Sequence, residues 1–144
     1  MDYLVDTNLW RALAVSDSRK SLAREVIKKL LRDGAELCVF PQNLIELWSV
    51  ATRPPQENGF GKSIAATDRY CRYIQSFATL LPDPQDLFRK WQELVNVYQI
   101  AGKKVFDTRL AAAMILHNVP PILTFNTRDF ARYSEIESVD PASV

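Results

Sequence analysis

The chain has 144 residues, 47% of them hydrophobic and 24% charged, with a formal net charge of +1. That describes one globular domain with a sizeable core, and it excludes a disordered chain and an overall polyanion-binding surface. The two cysteines, Cys38 and Cys71, have neither metal-ligand nor disulfide spacing, so a reduced, cytoplasmic setting is expected. His117 is the only histidine, which excludes chemistry built on two or more imidazoles. No apolar run is long enough to span a bilayer, so no membrane partner is expected.

Leu4-Val5-Asp6-Thr7-Asn8 reads as a buried strand that stops on a carboxylate and turns at once into a helix beginning near Leu9. Asp6 has two readings. It can cap that helix, or it can stand at the mouth of a parallel sheet, where ligands bind beyond the carboxyl ends of strands. Ser18 to Arg32 has Leu22, Val26, Ile27, Leu30 and Leu31 at helical spacing, with a basic face read as solvated. Leu37 to Phe40 is an all-apolar strand, as expected for one covered on both sides.

Pro41 opens a helix over about Gln42 to Arg53. Gln42, Glu46, Ser49 and Arg53 form one polar stripe along it, the remainder being expected in the core. The stripe either faces water or lines a cleft and aims Glu46 and Arg53 into it. Arg53 to Lys62 holds two of the four glycines and reads as an irregular loop, suited to a lid, a partner contact or an insertion. A helix follows over Ser63 to about Gln75, then a short strand over Phe77 to Leu81. Asp86 to Ile100 is the clearest amphipathic helix.

Val105 to Arg109 leads into an alanine-rich helix, Leu110 to His117, with Asp107 at its first turn, where an N-cap role is the simplest reading. His117 is read as structural. Ile122 to Phe125 is a strand running into Asn126-Thr127-Arg128-Asp129-Phe130, and about Ile136 to Val139 is the last strand. Strands and helices alternate throughout, which implies an α/β fold with a mainly parallel sheet between helical layers, spanning residues 1–144 as one domain.

Asp6, Glu46, Asp107 and Asp129 thus recur at strand ends or helix starts, with Thr7, Asn8, Thr124 and Asn126 between them. Carboxylates gathered at one sheet edge raise one another's pKa values, and a divalent cation removes that penalty. Oxygen donors without Cys or His select Mg²⁺ or Mn²⁺. Such a site suits phosphodiester hydrolysis.

The stretches around Asp6, Asn43-Leu44-Ile45-Glu46-Leu47-Trp48, Val105 to Met114 and Ile122 to Phe130 together resemble the motifs of PIN-domain ribonucleases, in particular VapC-like toxins of prokaryotic toxin–antitoxin pairs. Thr52-Arg53-Pro54 and Asn58-Gly59-Phe60-Gly61 are similar to that branch as well. The resemblance covers nearly the full length. It implies a three-layer α/β/α sandwich with the first strand central and the fourth beside it, an Mg²⁺-dependent endoribonuclease, an RNA substrate, a cognate antitoxin and a homodimer. It also implies that Asp6 and Asp107 bind the metal and that Glu46 completes the acidic cluster. Asn126 occupies the family's fourth acidic position, with Asp129 three residues on. One well-occupied metal is expected on Asp6 and Asp107, with Asn126 contributing through water and Asp129 from the outer shell.

Two other readings are weighed. A catalytically silent PIN-like domain that binds RNA or protein is disfavoured by the presence of Asp6, Glu46 and Asp107. A phosphatase with Asp6 as nucleophile needs a second Asp where Asn8 stands. The scattered glycines form no nucleotide-binding phosphate loop.

Overall fold

A computed structural model describes residues 1–144. Five strands form one sheet: β1 (Asp2–Val5), β2 (Glu36–Val39), β3 (Thr79–Leu80), β4 (Pro121–Leu123) and β5 (Glu137–Val139). Their order is β3-β2-β1-β4-β5, and every pairing is parallel. The expected central first strand and its fourth-strand neighbour are therefore present. Six helices connect the strands: α1 (Thr7–Ala14), α2 (Lys20–Arg32), α3 (Pro41–Thr52), α4 (Ile64–Gln75), α5 (Leu87–Val97) and α6 (Lys104–His117).

The strands are apolar on both sides because helices cover both faces of the sheet. Alternate residues feed two cores. Val5, Leu37, Val39 and Leu123 pack with α1, α2, α3 and α4, while Leu4, Cys38 and Ile122 pack with α5 and α6. The fold is thus an α/β/α sandwich. Ala111, Ala112 and Ala113 are all buried, so α6 lies close beneath the sheet. Cys38 and Cys71 are free and belong to different cores. No helix is long and apolar enough to cross a membrane.

Several boundaries differ from expectation. The third strand shrinks from Phe77–Leu81 to Thr79–Leu80, since Phe77 instead closes a turn onto the Ile74 carbonyl, 3.2 Å away. The amphipathic helix ends at Val97 rather than Ile100, because Gln99 adopts a left-handed backbone with φ 54° and the Ile100 N–H turns back to Val95. The alanine-rich helix begins six residues before Leu110, at Lys104, with Lys103 in the capping position. Asp107 is therefore inside the helix and not its N-cap. On α3, Ile45 is 67% exposed, so the helix is not otherwise buried; its main helix neighbours are α1 and α4.

The Arg53–Lys62 loop holds a single 3₁₀ turn, Pro55–Glu57, and is strapped to the end of α3. Phe60, Gly61 and Lys62 donate their N–H groups to the carbonyls of Val50, Arg53 and Ala51 at 2.8–2.9 Å. These bonds satisfy carbonyls that the helix end would leave open. A Cβ on Gly59 would stand 2.0 Å from the Arg53 carbonyl oxygen, so only glycine allows this approach.

Candidate active site

The chain leaves β1 at Val5, and the Asp6 N–H still bonds the Leu123 carbonyl of β4 at 3.0 Å. On the other side of β1 lies β2. The connections from β1 and β4 diverge here, which opens a crevice at the carboxyl ends of the strands. Asp6 serves both its readings at once. One carboxylate oxygen accepts the Thr7 N–H at 2.8 Å and caps α1, while the other accepts the Thr124 hydroxyl at 2.7 Å. Thr124 is fully buried, and its oxygen in turn accepts from the Asn8 amide at 3.1 Å and the Asn126 N–H at 3.0 Å. The end of β1 and the end of β4 are thereby locked together through one hydroxyl.

Glu46 arrives from α3. Its Oε1 accepts from the Gln42 amide at 2.7 Å, and its Oε2 accepts from the Thr7 hydroxyl at 3.3 Å. The same Gln42 amide nitrogen reaches the Phe106 carbonyl at 2.8 Å. The Gln42 carbonyl oxygen accepts from Arg109 at 2.9 Å, and Arg109 pairs with Asp83 at 2.8 Å. Asn43 is wholly buried and bridges the start of α3 to Thr7, donating to its hydroxyl at 3.3 Å and accepting the Phe40 N–H at 2.8 Å.

Asp107 projects from the first turn of α6, and Asp129 closes the 3₁₀ turn Thr127–Asp129 that follows β4. Asp6, Glu46, Asp107, Asn126 and Asp129 all line one hollow of about 330 Å³, joined by Thr7, Asn8, Ser49, Arg11 and Arg53. Every residue picked from the sequence as a site candidate is thus brought to one place, and the polar stripe of α3 lines the cleft rather than facing bulk water.

The electrostatics follow from the crowding. Burial, reinforced by the charges of Glu46 and Asp129, pushes the Asp6 carboxyl up to about 6 against the opposing hydrogen bonds from Thr124 and Thr7. Asp107 is pushed up to about 7, by burial first and then by Asp129, Asp6 and Glu46. Both shifts are the cost of holding anions together out of water. A divalent cation would offset that cost. The donor set is all oxygen, which fits Mg²⁺ or Mn²⁺. No three acidic side chains are gathered into a ready cage around one point. That arrangement still suits Mg²⁺, which takes one or two carboxylates and completes its shell with water and phosphate oxygens.

Asn43 and Arg109 hold the site together without having been singled out for it in the sequence, Gln42 was expected only as a member of the α3 stripe, and Arg11 was not expected in the cleft. Helical spacing carries the clue to Arg11, since it follows Thr7 and Asn8 by four and three residues on α1. Nothing in the sequence ties Arg109 to Gln42. His117 has the structural role expected, its ring nitrogen 2.8 Å from the Pro82 carbonyl oxygen.

Solved structures with this architecture include VapBC2 from Rickettsia felis, crystallised with a promoter DNA fragment. It matches with TM-score 0.76 and 15% identity, over 97% of this chain and 98% of that one. VapBC-1 from nontypeable Haemophilus influenzae matches with TM-score 0.73 and 19% identity, over 99% of both chains. VapC20 from Mycobacterium tuberculosis, described as a Sarcin-Ricin loop cleaving toxin, matches with TM-score 0.65 and 19% identity, over 94% and 98%. At these identities the likeness is one of fold. No curated protein matches the chain in sequence. The sequence model of the PIN domain matches residues 3–136, a span that carries all five candidate site residues. With its acidic hollow at the switch point of a parallel sheet and that match along nearly its whole length, this chain belongs to the PIN domain family.

Proposed function

We propose that the chain is a Mg²⁺- or Mn²⁺-dependent endoribonuclease, the VapC-like toxin of a toxin–antitoxin pair. The observation that carries this reading is the convergence of Asp6, Glu46, Asp107 and Asp129, drawn from four separate segments, in one hollow at the sheet's carboxyl edge. Asp6 and Asp107 would hold the ion, which when bound supplies an activated water and charge compensation at phosphate. Glu46, clamped by Gln42 and Thr7, orients the attacking water and accepts its proton. Thr124 and Asn8 keep the Asp6 carboxylate turned to the hollow. Asn126 would help hold the ion through water, and Asp129 would add negative charge beside it.

The test is cleavage of RNA by the purified chain with Mg²⁺ or Mn²⁺. Asp6→Asn and Asp107→Asn should abolish cleavage with the fold intact. Undiminished cleavage in excess EDTA overturns the metal reading. RNA binding without cleavage under every metal condition would favour the silent-domain alternative.

Partners follow from the same reading. Solved VapBC structures pair a toxin of this fold with an antitoxin, and an antitoxin covering the cleft would send a basic side chain to the carboxylates. A homodimer is proposed from exposed apolar side chains: Tyr73 on α4, Phe88 on α5, and Ile45 and Phe106 beside Glu46 and Asp107. The neighbouring aromatics are engaged within the chain: Tyr70 is tied to the Trp10 carbonyl at 2.7 Å, and Phe77 is half-buried against Trp10. A monomer by light scattering at every concentration would remove the dimer. Failure of the neighbouring gene product to rescue growth would remove the antitoxin.

A further inference from the structure

The carboxylates share the lining of their hollow with two arginines, Arg11 and Arg53. Neither is among the ion-paired side chains, although four carboxylates line the same cleft. Three other arginines are paired locally, Arg19 with Asp17, Arg72 with Asp68 and Arg109 with Asp83, and the unpaired ones other than Arg11 and Arg53 do not line this hollow. Arg11 and Arg53 are exposed, and neither forms an ion pair within the chain.

The backbone under Arg53 is held on both sides. Its N–H bonds Ser49 at 3.1 Å, and its carbonyl accepts the Gly61 N–H at 2.8 Å. The strap of Phe60, Gly61 and Lys62 pins this end of α3, and Gly59 lies against the same carbonyl. Arg11 sits in the last turn of α1, whose first turn is capped by Asp6. Both side chains therefore swing from fixed points at the rim of the acidic hollow. A bound cation answers one phosphate. The neighbouring phosphates of an RNA strand would meet uncompensated carboxylates unless fixed positive charge stood nearby. Guanidinium groups stay charged at any working pH and bind phosphate oxygens in pairs.

Resting on the endoribonuclease reading, we propose that Arg11 and Arg53 are RNA-binding residues that hold backbone phosphates next to the one at the carboxylates. The strap over Pro54–Lys62 is then the element that presents Arg53, not a lid. Contacts of this kind carry no base preference, so sequence choice must come from elsewhere in the cleft.

The experiment measures binding of a labelled, mixed-sequence single-stranded RNA by fluorescence anisotropy across a salt series. Ca²⁺ replaces Mg²⁺, and gels check that the RNA stays intact. For single strands, each phosphate contact contributes about 0.7 to the slope of log K against log salt. Arg11→Gln and Arg53→Gln should each weaken binding several-fold and lower the slope by about 0.7, and the double variant by about 1.4. Arg11→Lys and Arg53→Lys should keep the parent slope, and all variants should keep the parent Tm and Mn²⁺ affinity. An unchanged slope in both glutamine variants overturns the proposal. So does a parent that binds RNA without salt dependence or not at all. A slope lost equally in the lysine variants, or a changed Mn²⁺ affinity, assigns the arginines to shaping the site and also overturns it. RNA cleavage is scored separately. A chain that binds with this slope and never cleaves loses the nuclease reading alone, and a nuclease with an arginine-independent slope loses this inference alone.

Discussion

Gln42 shows how one buried amide can govern a carboxylate. It touches Glu46, the Phe106 carbonyl and Arg109 within 2.9 Å, so it joins α3 to α6 across the mouth of the cleft. Gln42→Leu keeps the volume and removes all three bonds. It should cost about 1–3 kcal/mol in urea unfolding, because buried partners lose their hydrogen bonds. It should also slow RNA cleavage more than it weakens RNA binding, since it frees Glu46 without touching Arg11 or Arg53. At the fourth acidic position the chain carries an amide, which lowers the charge of the cluster by one. Like charges a few ångströms apart interact by roughly 1–4 kcal/mol, depending on exposure. Asn126→Asp should therefore keep activity and tighten Mn²⁺ affinity, and Asp129→Asn should weaken cleavage while leaving the first metal bound. A titration in which Asn126→Asp changes nothing and Asp129→Asn eliminates binding would make Asp129 the direct ligand.

Elements place these residues by how they end. β1 and β4 stop side by side, and the Thr124 hydroxyl ties the two ends through Asp6. α6 starts early enough to put Asp107 in its first turn, where the helix dipole favours a carboxylate. The end of α3 is set by the strap, and Gly59 is its tightest point. Gly59→Ala should destabilise the chain by about 0.5–3 kcal/mol. Hydrogen exchange should then speed at Phe60, Gly61 and Lys62 while α6 stays protected. Unchanged exchange at those amides would mean that the loop is not held by this contact.

For the molecule as a whole, the acidic hollow trades stability for function. The Asp6 and Asp107 carboxyls hold their protons more tightly in the folded chain than the ordinary value of 3.8. Their contribution to stability is therefore complete below about pH 4 and is lost as pH rises through 6 and 7. In EDTA, Tm should fall by several degrees between pH 5 and pH 8 from these groups. Asp107→Asn should flatten the decline. Mg²⁺ should raise Tm most at pH 8, because it binds only the folded, ionised cluster. A metal-free Tm that rises across this range in the parent, and equally in Asp107→Asn, would place the pH dependence elsewhere.

The sequence by itself determined the alternation of strands and helices, the two-sided burial of the strands and the carboxylates at their ends. These are local properties: periodicity, turn residues and apolar runs act over a few neighbours. It also determined that Asp6 stands at a strand-to-helix turn, since a strand cannot bury a carboxylate in mid-sheet. Tertiary structure decided the rest. The N-cap reading of Asp107 failed because packing of α6 beneath the sheet extended the helix back to Lys104, beyond the weakly patterned Val105–Arg109. The third strand shrank because Phe77 and Ala78 turn their N–H groups back to the Ile74 carbonyl at the end of α4. The role of the Arg53–Lys62 loop depended on carbonyls of α3 that its own residues do not reveal. The Arg109–Gln42 bond joins residues 67 apart. No local preference encodes such a pair, because it forms only after the sheet has brought α3 and α6 to the same edge.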